Sequence, residues 1–149
     1  MKNNKGFSLV ELIIVIAIMA ILVGVMAPQL IKYIEKSKVS ADTQAADTVH
    51  SAVLTAMMDP EVVNASGYNG SSFLSGAHSV SEFTTGDPIG SAAMEILGYT
   101  AMPDVTDMLK STGASDISFE IVGNNKVSVW VDGSDSRGSK SGSPNIVVE

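Results

Sequence analysis

Lys5-Gly6-Phe7-Ser8-Leu9-Val10-Glu11 leads into seventeen uncharged residues, Leu12 to Pro28, and the reading of this stretch decides the fold. A helix needs about 17–25 apolar residues to span a bilayer, and this run meets that length. One carboxylate, Glu11, stands inside the otherwise membrane-grade sequence. An ionised acid costs about 2.5–3.5 kcal/mol at the centre of a transmembrane helix and less near an end, so its position marks function and asks for a partner.

Four readings compete for this segment. A secretory signal peptide fits the basic start (Lys2, Lys5) and the small residues Val25 and Ala27. Against it, Glu11 interrupts the apolar region and Pro28 would follow the cut, where its tertiary amide is a poor bond to cleave. An ordinary signal anchor fits the length and leaves Glu11 without a role. A buried core helix needs a larger surrounding domain than a chain of 149 residues supplies. The fourth reading accounts for each residue: the stretch resembles the amino-terminal signature of type IV pilins and type II secretion pseudopilins.

The resemblance implies a short leader, residues 1–6, ending in Gly6. A prepilin peptidase would cut between Gly6 and Phe7 and methylate the new amino terminus at Phe7. Glu11 becomes the fifth residue of the mature chain, where the family keeps a Glu used in subunit assembly. Pro28 falls where many members carry a helix-bending proline. Cleavage creates a cationic amine at Phe7, and a carboxylate on a neighbouring subunit can pair with it. At roughly 4 Å and an effective dielectric near 20, such a pair is worth about 4 kcal/mol before desolvation. That is comparable with the cost of burying Glu11, so the charge is tolerable in a filament and unfavourable alone.

The resemblance covers the first third of the chain, and the remainder is read from its own residues. Formal charge is −7; without Lys2 and Lys5 the mature chain has 7 basic against 16 acidic residues, or −9. An acidic head disfavours phosphate backbones, so no specific nucleic acid is expected. The chain has no cysteine, which excludes disulfides, thiolate metal sites and cysteine nucleophiles. His50 and His78 read as exposed polar residues. No nucleophile elbow, phosphate loop or zinc-spaced histidine pair accompanies them, so the chain reads as non-enzymatic and without cofactor. Asp132-Gly133-Ser134-Asp135 is rich in oxygen ligands of the kind calcium takes. It reads as a solvated turn, and no metal is assigned.

Residues 7–31 are expected to form the transmembrane and filament-core helix, with Gly24 and Pro28 as its break. Residues 32–149 are expected to form a globular head. Its first part, 32–58, is an amphipathic helix: Ile31, Ile34, Ala41, Ala45, Val49, Ala52, Val53 and Ala56 recur at three- and four-residue spacing. Polar residues, Asp42 among them, fall between. Lys32, Lys36 and Lys38 follow the apolar run and read as interfacial snorkelling residues. Asp59-Pro60 ends the helix.

Over 59–115 the composition predicts loop, with Ser, Gly and Asn dominating 61–87. Two short helices follow. Asp87-Pro88 starts the first, with Met94, Ile96 and Leu97 inward and Gly98 as its stop. The second runs from Pro103 to Lys110, with Gly113 beyond. Residues 116–149 read as antiparallel sheet. Ile117, Phe119 and Ile121 alternate with Ser118 and Glu120, and Val127, Val129 and Val131 with Ser128 and Trp130. A three-residue connection, Gly123-Asn124-Asn125, sets Ile121 opposite Val127, Phe119 opposite Val129 and Ile117 opposite Val131. Ser134 to Pro144 reads as surface loop and Asn145 to Val148 as a short last strand. A long helix packed on a small carboxy-terminal antiparallel sheet is an α+β, pilin-like architecture.

The expected function is a structural subunit of a type IV pilus-like filament, made as a single-pass membrane precursor with its amino terminus cytoplasmic and then assembled at the cell surface. The implied partners are copies of itself in a helical homopolymer, the prepilin peptidase, and an assembly ATPase and platform protein. Within the family, a major pseudopilin of a type II secretion or competence DNA-uptake apparatus remains open. A signal-anchored extracellular binding domain is the reading of another class; it requires no cleavage at Gly6 and no use of Glu11.

Overall fold

A computed structural model describes residues 6–102, 104–111, 113–123, 126–133 and 147–149. Lys2 and Lys5, Pro103, Asn124 and Asn125, the 134–144 loop with Asp135, and Asn145 lie outside the described residues. The chain divides into two compact units, Met1–Lys36 and Ser37–Glu149.

The first unit carries the start of helix α1, Leu9–Met58. The second carries its end, where an apolar stripe is buried: Ala46, Val49, Ala52, Val53, Ala56 and Met57, with Asp42 in line. The spacing matches one face of a helix, yet the face is turned from the expected one at its start. Ala41 is exposed and the carboxylate of Asp42 takes the inward place. Ile31 and Ile34 are exposed, and no described residue of the first unit is buried to form a core around them. Asp59 ends α1 and at once caps α2, Pro60–Val63, by accepting the Glu61 N–H at 2.8 Å.

The sheet has four antiparallel strands in the order β1-β2-β3-β4: Ala77–Ser79, Ala114–Val122, Lys126–Gly133 and Val147–Val148. The β2–β3 register pairs Ile121 with Val127, Phe119 with Val129 and Ile117 with Val131, as the alternation of apolar residues requires. These six side chains are buried and meet the α1 stripe in one core. The opposite face departs from expectation: Ser128 and Trp130, which alternation places outward, are buried as well.

The 61–87 segment is not the simple loop its composition implies. It contributes an edge strand, β1, and Phe73, Val80 and Phe83 to the core. Phe73, Phe83 and Phe119 form an aromatic cluster with ring centroids 5.1–5.5 Å apart. Helix α3, Pro88–Leu97, starts where Asp87 accepts the N–H groups of Ile89 and Gly90, and stops at left-handed Gly98 (φ 81°). It buries Ile89, Gly90, Ala93 and Met94; Ile96, expected inward, is exposed. Among the described residues of the expected second short helix, a 3-10 turn, Val105–Asp107, is formed, capped by Asp104 at the Thr106 N–H.

Candidate functional site

Gly6, Phe7 and Ser8 precede the first turn of α1, and all three are exposed. The Glu11 carboxylate reaches back one turn and accepts the Ser8 N–H at 3.0 Å. Ser8-x-x-Glu11 has the spacing of a capping box, in which the acid at the third helical position satisfies the N–H of the residue before the helix. The negative charge also faces the positive end of the helix dipole. Glu11 therefore has a structural role within its own chain that the sequence reading missed, although the spacing was there to reveal it. The structure thus brings Phe7, Ser8 and Glu11 together at one helix end. A carboxylate accepts up to about four hydrogen bonds, so this bond leaves room for a second partner.

Beyond Glu11 the helix exposes Leu12, Ile13, Ile14, Ile16, Ile18 and the apolar residues that follow, through Ile31. It is long and apolar enough to cross a membrane, and none of its apolar window is buried. Exposed apolar surface on this scale marks a membrane or protein contact. Gly24 and Pro28 lie four residues apart within this continuous helix. Pro28 has no N–H to give the carbonyl four residues earlier, and that carbonyl belongs to Gly24. A Cβ at Gly24 would meet nothing within 4 Å, so no packing within the single chain requires glycine there. Lys32 and Lys36 stand exposed past the apolar run.

In the second unit, Asp42 is fully buried. It accepts the Lys110 N–H at 2.6 Å, the Ser111 N–H at 2.9 Å and the Ser111 hydroxyl. Three donors on a carboxylate satisfy a charge that would otherwise be costly inside the core, and they tie α1 to the turn entering β2. Asp132 uses both oxygens on its neighbours, the Trp130 indole N–H at 3.1 Å and the Ser118 hydroxyl. Among the described residues no group of three His, Asp or Glu side chains is placed to hold a metal ion. His50 is half-buried on α1. His78, expected to be exposed, is half-buried, and its ring nitrogens face the Glu82 carboxylate and the Ser75 carbonyl.

The helix thus opens on a capped carboxylate, runs through an exposed apolar stretch, and buries only the stripe from Asp42 to Met57 in the core of the head. Residues 1–27 match the prokaryotic N-terminal methylation motif. A type IV major fimbrial protein FimA of Dichelobacter nodosus is 32% identical over 113 residues, covering 73% of this chain and 70% of the relative. A second FimA from the same organism is 31% identical over 112 residues, 74% and 72% of the two chains. No solved structure matches the chain. The chain belongs to the type IV pilin family, whose members are structural, non-enzymatic subunits made as membrane precursors and polymerised into surface fimbriae.

Proposed function

We propose that this protein is the main building subunit of a long surface fimbria, cut between Gly6 and Phe7 by a prepilin peptidase and methylated at Phe7. The observation that carries the reading is the placement of Glu11 one helical turn from the new amino terminus, in a helix otherwise fit for a bilayer. In this reading the amino terminus is cytoplasmic until the cut. An assembly ATPase and a platform protein then lift the subunit out of the membrane into a helical homopolymer. The Glu11 carboxylate of the incoming subunit pairs with the Phe7 amine of its neighbour while keeping the Ser8 N–H. Residues 7–31 form the filament core and 32–149 the acidic head. The relatives are named as major fimbrial proteins, which favours a long fimbria over the short pseudopilus of a secretion or DNA-uptake machine.

Intact-mass analysis of protein extracted from membranes and from sheared filaments tests the first step. Mature protein lacking residues 1–6 and carrying one added methyl group is expected. An uncut Met1, or a mature terminus at Pro28, overturns the reading.

A further inference from the structure

His78 sits in β1, which among the described residues has β2 as its sheet neighbour and forms an edge of the sheet. Its Nδ1 lies 2.8 Å from Glu82 Oε2 and its Nε2 lies 3.0 Å from the Ser75 carbonyl oxygen. Both partners are acceptors only. A neutral imidazole has one N–H and one lone pair, so in either tautomer one ring nitrogen turns a lone pair toward an oxygen. The imidazolium has two N–H groups and satisfies both acceptors. The geometry of the pocket is complementary to the charged ring.

The surroundings make that choice consequential. The ring stands edge-on to Phe73 at 5.2 Å and lies 6.2 Å from Phe119, so it closes the end of the aromatic cluster. The other oxygen of Glu82 accepts the Ser79 N–H at 3.2 Å, and Ser79 caps the 3-10 turn Val80–Glu82. One side chain thus joins the turn before β1, the strand itself, the turn after it and the core.

Among the described residues Glu82 is the charged group that faces the ring. The preceding turn, Ser72–Leu74, carries no charge. β2 presents Phe119 opposite His78, while Glu120 is opposite Ala77 and therefore on the other face of the sheet.

We propose that His78 is a proton-operated latch: protonated, it fastens the 75–82 segment and the edge strand to the aromatic end of the core, and on losing its proton it lets them open. Burial by itself lowers the pKa of this ring. The Glu82 hydrogen bond, the Ser75 carbonyl and the charge on Glu82 outweigh burial and hold it above its ordinary value of 6.5. Glu82 is correspondingly lowered, first by its hydrogen bond to His78. A pKa raised on folding contributes stability that is complete below the unfolded value and is lost as pH rises through the folded one. The latch is therefore closed in mildly acidic medium and opens on the alkaline side of 6.5. Opening bares the N–H and C=O row of β2, a surface ready to pair with another strand. The inference is independent of the filament reading, because it concerns the folded head alone.

The test is a pH titration of the isotope-labelled full-length chain in detergent micelles. The readouts are the His78 ring resonances and the amide protection of Ala77, His78 and Ser79, each normalised for intrinsic exchange. A midpoint above 6.5 is expected, with a loss of protection in β1 over the same interval. Glu82→Gln retains the turn-capping geometry and removes the charge; it should lower the midpoint and carry the loss of protection with it. His78→Gln should show weak β1 protection with no step. A wild-type midpoint at or below 6.5, protection flat through the transition, or a step surviving in His78→Gln overturns the latch. If His78→Gln fails to fold, the wild-type and Glu82→Gln titrations still decide.

Discussion

Glu11 now has two roles that one substitution can separate. Its carboxylate caps its own helix at the Ser8 N–H, and in the proposed filament its charge meets a neighbour's amine. Glutamine serves a capping box nearly as well as glutamate and carries no charge. Glu11→Gln should insert, be cut after Gly6, and fail to enter filaments; Glu11→Leu, which removes both cap and charge, should fail alike. Quantifying mature protein in sheared-filament and membrane fractions checks this. Normal filament levels for Gln with loss for Leu would make the cap the essential role and end the charge-pairing account. Asp42 offers a second residue-scale prediction. Replacing it with Ala takes the acceptor from the part-buried Lys110 N–H and from the two buried Ser111 donors, and charge-assisted bonds of this kind are worth about 1.5–3 kcal/mol each. Asp42→Ala should cost at least about 3 kcal/mol in denaturant unfolding of the full chain. An unchanged midpoint would mean water replaces the carboxylate there.

At the scale of the element, Gly90 shows two principles in opposition. It lies inside α3, where Ala is preferred over Gly by about 1 kcal/mol. A Cβ at this position would stand 3.1 Å from the Thr84 nitrogen, 3.2 Å from the Thr84 oxygen and 3.1 Å from the Phe73 ring. Backbone atoms do not rotate out of the way, and overpacking costs about 1–3 kcal/mol. Gly90→Ala should therefore lower the melting temperature of the full chain; a rise would show that α3 shifts freely from the 84 turn. The same segment shows why some elements were legible and others not. The β2–β3 hairpin was readable because two strands with strict alternation fix a single register. β1, Ala77-His78-Ser79, is three residues long and has no alternation to detect. Phe73, Val80 and Phe83 lie too far apart for either helical or strand periodicity to gather them. The alternation in β3 places Trp130 outward, and period alone does not say whether a second face is covered. The amino-terminal motif was legible because its information is local. The burial of Asp42 was not, since its donors are 68 and 69 residues away.

For the whole molecule, assembly imposes two packing demands on one helix. In the proposed filament the first unit fits among other apolar helices and the second among other heads. A stiff helix meets both only if it yields somewhere, and yielding is least costly where a hydrogen bond is already missing. Pro28 leaves the Gly24 carbonyl without its helical donor, and Gly24 is itself a poor helix residue. In the single chain the helix nevertheless runs without a break from Leu9 to Met58. The expected filament differs: between Gly24 and Pro28 the backbone should leave helical geometry, while residues on either side stay helical. Pro28→Ala restores the missing bond and removes a penalty of about 3 kcal/mol or more. It should keep the segment helical in the polymer, and filaments should be fewer or of altered helical rise. A filament density map of each protein decides the matter. Straight, unbroken helix across 20–30 in the wild-type polymer would place the adjustment in the contacts between heads instead, and Pro28→Ala would then leave filament yield and rise unchanged.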